Sequence, residues 1–271
     1  MSRHYTSIIS SIFGKFANTK FPLTMQYIIN RFYIYSMKLD MSDFRSPCEY
    51  RSLNMLFTRE LMKEREIPED SNIIISPCDA LVSDYGNIID GKVYQIKGME
   101  YNLDELLGDR YSGSSKELEG GDFVNMYLSP KDYHRYHIPM DLKIKSLTHI
   151  AGKLYPVNFP LLLNKHNLFI ENERVVIECK DSKGYIHFLV LVGALNVGKM
   201  VVSFEARVNT NSSITTPQYY EYSDLYMKRG ELLGWFEMGS TVLMFSQNGA
   251  LMSEVAINQK VKFSERIGII R

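Results

Sequence analysis

Residues 174–195 read RVVIECKDSKGYIHFLVLVGAL, two short apolar runs parted by the polar Asp181-Ser182-Lys183-Gly184. Runs of this length, rich in Val and Ile and bounded by turn residues, read as strands rather than helices. The same grammar recurs from Ile73 onward in NIIIS, ALVSDY, KVYQIKG, FVNMYLS, KMVVSFEA, TVLMFS and RIGII. Many short strands with turn signals between them predict a largely antiparallel β domain. LDELLGDRY (103–111) reads as a brief helical insertion, and CEYRSLNMLFTRELMKERE (48–66) as a short helical segment leading to Pro68. Residues 209–228 are polar and lack clear periodicity, so a long loop is expected there.

The first 45 residues differ. Arg3, Lys15, Lys20, Arg31, Lys38 and Arg45 stand against Asp40 and Asp43, a net charge of +4. Ile8, Ile9, Ile12, Phe13 and Phe16 recur at helical spacing, as do Met25, Ile28, Phe32, Tyr35 and Leu39. Basic amphipathic helices suit an anionic bilayer surface; apolar stripes also commonly pack on a protein's own core. The expected fold is α+β: N-terminal amphipathic helices over 1–45, then a largely antiparallel β-sheet domain over 46–271.

The chain has 271 residues and a formal net charge of zero, which argues against a dedicated nucleic-acid binder. Cys48, Cys78 and Cys179 show no metal spacing and no even pairing, which fits a reducing compartment. No run of about 18 apolar residues predicts a membrane span, and the N-terminus lacks the regions of a signal peptide.

Candidate chemistry is concentrated in four places. His134 and His137 share YLSPKDYHRYHIP (127–139). Three apart, they would share a face on a helical turn and oppose each other on a strand. No third ligand lies near, so no metal is assigned. Asp79, in SPCDALV, could cap a turn or orient a histidine. Ser240, in MGSTV (238–242), sits in turn chemistry flanked by apolar runs: an ordinary turn, or a serine placed for reaction. The fourth place holds Asn158, Asn172, Glu173 and Arg174, either a salt-bridged edge or an arginine offered to an anionic substrate.

In order along the chain, these stretches resemble the phosphatidylserine decarboxylase proenzyme family of the prokaryotic, pyruvoyl-dependent type. SPCDALV is similar to the family's Ser-Pro-x-Asp-Gly segment, and YLSPKDYHRYHIP to its Tyr-Leu-Ser-Pro-x-Asp-Tyr-His-Arg-x-His-x-Pro block. THIAGKLYPVN resembles Gly-x-Leu-x-x-Val-Asn, NLFIENERVV the Asn-Glu-Arg strand, and LVGALNVGKM Val-Gly-Ala-x-x-Val-Gly. KRGELLGWFEMGSTVLMF resembles the processing segment that ends in Gly-Ser-Thr-Val. The likeness spans roughly residues 45–250. Ala80 departs from it, standing where the family has glycine. Its Cβ resists positive φ, so a different local turn is expected.

The resemblance implies self-cleavage between Gly239 and Ser240 into chains 1–239 and 240–271. Ser240 would be the nucleophile, His137 the base and Asp79 the orienting acid. Ser240 would become a pyruvoyl cofactor that takes the amine of phosphatidylserine into a Schiff base, releasing CO2 and phosphatidylethanolamine. His134 is the better proton donor if His137 serves processing. The two chains would stay associated, a homodimer is left open, and the membrane would be met peripherally from its cytoplasmic face through residues 5–39. Alternatives are a pyruvoyl-dependent decarboxylase of a soluble amino acid, a serine hydrolase with an intact chain, and a non-catalytic lipid-binding β domain.

Overall fold

The computed structural model describes residues 5–96, 99–157, 164–195, 199–212, 214–237 and 240–271, with backbone alone at 5–7, 9, 95, 96 and 240. Its centre is an eight-stranded sheet. From edge to edge the strands are Gln218–Met227, Leu142–Ile150, Arg174–Lys180, Ile186–Val192, Ser240–Ser246, Asp122–Leu128, Ala80–Asn87 and Lys260–Val261. Every ladder between described strands is antiparallel. The opening stretch folds as the hairpin Arg174–Lys180/Ile186–Val192, with Arg174 opposite Val192. Val175–Ile177 and His187–Val192 are buried, which is why these central strands read as continuous apolar runs rather than alternating ones.

A second, three-stranded sheet joins Met200–Val202, Leu232–Phe236 and Arg135–His137. Gly234 lies in its middle strand. A Cβ there would run into the carbonyl of Val201 and the ring of Tyr136, so only glycine lets the three strands close up.

Two helices precede the sheets: α1, Tyr5–Asn18, and α2, Leu23–Met37. With the five-residue α3, Leu53–Phe57, they enclose a small core of Ala17, Tyr33, Leu39, Tyr50, Leu53, Leu56 and Phe57. Helix α2 is turned inside out. Gln26 and Asn30 are buried, while Ile28, Phe32 and Tyr35 are 61%, 71% and 85% exposed. Asn30 earns its place by donating to the carbonyls of Pro47 and Tyr50, both at 2.9 Å, and accepting from Gln26 at 2.8 Å. None of the described helices is long and apolar enough to cross a membrane.

Two expectations needed correction. Residues 209–228 are not one long loop, because Gln218–Met227 is a ten-residue strand on the sheet edge, paired with Leu142–Ile150. Its two faces are both half-exposed, so no apolar alternation marked it. The helical segment over 48–66 shrinks to Leu53–Phe57 and a turn at Pro47–Glu49. Ser52 caps α3 by accepting from Met55 N at 3.2 Å, and past Thr58 the chain turns Arg59 inward rather than continuing the helix.

Candidate active site

The site forms where the helical layer meets the sheets, around the loop 129–134. Ser129 N and Oγ both donate to the Asp132 carboxylate at 2.7 Å, which closes the loop. Burial raises the Asp132 carboxyl above its ordinary range, and the Ser129 bonds oppose that rise. Tyr33 of α2 donates to Pro130 O at 3.4 Å, and Phe57 of α3 packs on the His134 ring at 4.0 Å.

The two histidines lie at the start and the end of a strand that begins at Arg135. His134 is fully buried, and its Nδ1 donates to Asp132 O at 2.8 Å. A carbonyl can only accept, so the proton sits on Nδ1 and Nε2 carries a bare lone pair. That Nε2 is buried without a hydrogen-bond partner among the described residues. Burial, and then the nearby Arg59 charge, bring the His134 pKa down to about 3.

His137 shows the same tautomer. Its Nδ1 donates to Gly230 O at 2.9 Å, and its Nε2 accepts from Tyr133 Oη at 3.1 Å. Phe263 stacks on the ring at 3.7 Å. Burial is the main cause that lowers its pKa to about 4. Gly230 has φ +85°, and a Cβ there would strike Ile67, so the acceptor of His137 depends on a glycine. His137 faces a cleft of about 570 Å³ together with Arg65, Tyr133, Arg135, Gly230 and Phe263.

Asp79 is placed next to this group but is engaged elsewhere. Its carboxylate accepts from Arg65 Nη1 at 2.5 Å, Arg65 Nη2 at 3.1 Å and Phe263 N at 2.8 Å. Among the described residues no hydrogen bond joins Asp79 to His137; the Gly230 carbonyl occupies Nδ1 instead. The link between them is the Asp79 charge, which favours the imidazolium, and Phe263, which touches both. Ala80 opens its strand opposite Val261 and is not in the left-handed region, so its Cβ meets no conformational penalty there.

Gly239 and the Ser240 side chain lie outside the described residues. Their surroundings are described. Phe236 N donates to His134 O at 3.0 Å, Glu237 N donates to Lys199 O at 2.8 Å, and Ser240 pairs in register with Leu128. The segment 236–240 is thus held at one end by His134 and at the other by Leu128, the two residues that flank the loop 129–133.

Asn158 also lies outside the described residues. The Asn172–Arg174 cluster is structural. Arg174 is saturated by the carbonyls of Glu105, Leu106, Ile170 and Asn172, and Glu173 accepts from His149 and from Asn211 N. Sequence reasoning missed Arg65, Tyr133, Phe263, Gly230 and Arg59. Tyr133 stood inside the histidine block, and the two arginines stood in FTRELMKERE. Phe263, 184 residues from Asp79, carried no local signal.

Two buried histidines, one before and one ending a short strand, with a serine that opens a central strand four residues past Phe236, the partner of His134, mark a candidate acyl-transfer centre. The profile of the phosphatidylserine decarboxylase family matches residues 53–269. A Campylobacter jejuni protein named phosphatidylserine decarboxylase proenzyme is 44% identical over 263 residues, covering 95% of this chain and 97% of that protein. One of the same name from Helicobacter pylori is 44% identical, covering 97% of each. Another, from Brevibacillus brevis, is 38% identical over 90% of this chain and 86% of its own. The chain belongs to the phosphatidylserine decarboxylase family.

Proposed function

We propose that this chain cleaves itself between Gly239 and Ser240 and then decarboxylates phosphatidylserine to phosphatidylethanolamine. One observation carries the reading: two neutral histidines, each with Nδ1–H tied to a backbone carbonyl and a lone pair on Nε2, line the chain that leads into the Gly239–Ser240 bond, His137 opposite Leu232 and His134 bonded to Phe236 N. A serine hydroxyl needs such a base.

In self-cleavage, Ser240 Oγ adds to the Gly239 carbonyl while His137 Nε2 takes the hydroxyl proton. The Gly239–Ser240 amide bond breaks and an ester to Ser240 Oγ replaces it. Elimination then releases Gly239 as a carboxylate. Hydrolysis of the dehydroalanine left at 240 gives a pyruvoyl group and ammonia. Asp79, fixed by Arg65, supplies negative charge that favours the imidazolium, and Phe263 keeps the ring in plane. Tyr133 Oη, hydrogen-bonded to Nε2, must yield that position to the serine.

The pyruvoyl group, when formed, supplies a carbonyl that accepts the electrons left by departing CO2. The residues present suit it, since His134 Nε2 is a buried lone pair without a partner among the described residues, open to take up a proton in passing and return it to the product carbon. Phe57 and the closed 129–132 loop exclude water from that nitrogen. The exposed Ile28, Phe32 and Tyr35 favour a bilayer lipid over a soluble amino acid as substrate, with α1 and α2 lying on the cytoplasmic membrane surface.

Intact mass spectrometry tests the first half. Two chains are expected, 1–239 and a 240–271 chain with a blocked N-terminus, and Ser240→Ala should leave one chain of 31.4 kDa. An uncleaved wild-type chain after long incubation would sink the proposal. Release of CO2 and phosphatidylethanolamine from phosphatidylserine vesicles tests the second half.

A further inference from the structure

Beside the loop 129–134 lies a polar cleft of about 270 Å³, bordered by Lys38, Arg59, Asp79, Lys131, Asp132 and Lys262. A neighbouring cleft of about 240 Å³ shares Asp79, Lys131, Asp132 and Lys262 and continues to Tyr127 and Ser129, next to Leu128, the register partner of Ser240. The carboxylates here are already engaged. Asp79 is held by Arg65, Asp132 by Ser129, Asp40 accepts from Ser42 N, and Asp43 lies 3.5 Å from Arg65. Among the described residues, Lys38, Lys131 and Lys262 form no ion pair.

Arg59 is the most telling member. It is 2% exposed, yet only Nη2 is used, donating to Lys131 O at 2.8 Å and Asp132 O at 3.2 Å. Nε and Nη1 are buried without a partner among the described residues. The guanidinium carbon lies 4.4 Å from the centre of the Phe44 ring. A buried guanidinium with two idle donors and no salt bridge is costly unless an anion completes it.

We propose that this cleft binds a phosphodiester, that of the lipid head group, with Arg59 at its floor and Lys131 and Lys262 at its walls. The inference rests on the decarboxylase reading above. Its position suits that role. Arg59 Nη2 and His134 Nδ1 bond to the same Asp132 oxygen, so the two side chains are no further apart than those two hydrogen bonds laid end to end. In the head group only three bonds separate phosphorus from the carbon that loses CO2, so a phosphate site must lie this close to the reacting residues. The other end of the cleft is at Lys38, which ends α2 just past the exposed Phe32 and Tyr35. A lipid lying under that face would present its phosphate at the mouth.

Charge logic selects the phosphate over the carboxylate. The carboxylate leaves as neutral CO2, and a cation holding it would stabilise the ground state against reaction. The phosphate keeps its charge throughout, so binding it anchors the substrate without opposing the chemistry. Filling the cleft also offsets the Arg59 charge that disfavours protonation of His134, so a proton is more readily held at Nε2 once substrate is present.

The test uses the full, self-cleaved chain and dihexanoyl phosphatidylserine as dissolved monomers, so that bilayer binding plays no part. The double variant Lys131→Ala/Lys262→Ala should raise KM about tenfold or more with kcat within about twofold, as expected for lost charge-assisted bonds. Arg59→Lys, which keeps the charge but loses the fork, should also raise KM. Inorganic phosphate and glycerophosphoserine should compete with substrate in the wild type and much more weakly in the double variant. Unchanged KM in both variants, or undiminished competition, overturns the proposal. Phosphate binding weakened in the double variant while KM for the lipid stays unchanged would mark a free-anion site and overturn the head-group assignment. Self-cleavage is scored on the same samples. If the wild type neither cleaves nor decarboxylates, the decarboxylase reading fails separately. Phosphorus-31 NMR of glycerophosphoserine with the Ser240→Ala chain then still decides the subsite: broadening lost in the double variant supports it, and no broadening in either overturns it.

Discussion

At the scale of single residues, the two histidines differ from free imidazole in a way that can be measured. Both titrate below the ordinary value of 6.5, His137 near pH 4 and His134 near pH 3, because burial penalises the charged ring. Two consequences separate. For stability, the unfolded chain takes up these protons below about pH 6.5 while the folded chain does not. The fold should therefore lose on the order of 1 kcal/mol per pH unit for each ring as pH falls from 6.5 toward 4, with no such loss above 6.5. For self-cleavage, His137 stays neutral and basic far below 6.5. The cleavage rate of freshly refolded proenzyme should hold from pH 8 to about pH 5 and fall only below that. A rate profile with its midpoint near 6.5 would contradict the burial of His137 as the controlling term.

Single elements decide where the chain touches its surroundings. Helix α2 buries Gln26, Asn30 and Tyr33 and exposes Ile28, Phe32 and Tyr35, and its two faces should respond oppositely to mutation. Phe32→Asp with Tyr35→Asp removes exposed rings only. Flotation with phosphatidylserine vesicles should be lost while the melting temperature stays within about 2 °C, since exposed substitutions usually shift stability by no more than about 0.5 kcal/mol. Asn30→Leu should do the reverse. It leaves the buried carbonyl of Tyr50 and the half-buried one of Pro47 unpaired and should loosen the helical layer by about 1–3 kcal/mol, read as faster proteolysis of residues 1–50. If the aspartate pair floats as well as the wild type, the outward face of α2 is not the bilayer contact.

Over the whole molecule, the proposed cleavage point coincides with the start of a central strand. Ser240–Ser246 is paired with Asp122–Leu128 on one side and Ile186–Val192 on the other. Downstream, Arg266–Ile270 pairs with Ile73–Ile75, and Phe263 packs on His137 and bonds to Asp79. A 240–271 chain would keep all of these contacts after cleavage. The two chains should therefore co-elute on size exclusion in ordinary buffer and separate only in denaturant. Recovery of the short chain alone under native conditions would be inconsistent with this sheet. The same arrangement explains why Phe263 can serve a site built largely from residues before 140, since the C-terminal segment carries it back across the sheet.

What the amino-acid order determined by itself was local. Apolar runs of strand length, parted by turn residues, were enough to read RVVIECK and YIHFLVLVGAL as strands, because propensity and periodicity act within a few residues. Helices α1 and α2 were legible for the same reason, and the blocks around Asp79, His134, His137 and Ser240 pointed to the family. Gln218–Met227 escaped because an edge strand half-exposed on both faces leaves no alternation to read. The direction of α2 was equally hidden, for an amphipathic pattern shows that two faces differ and not which one meets solvent. Only the tertiary structure assigned Asp79 to Arg65, gave the His137 proton to the Gly230 carbonyl, and brought Arg59 beside His134. Those pairings join residues 14 to 93 positions apart, where chain connectivity imposes no geometry and packing alone chooses the partner.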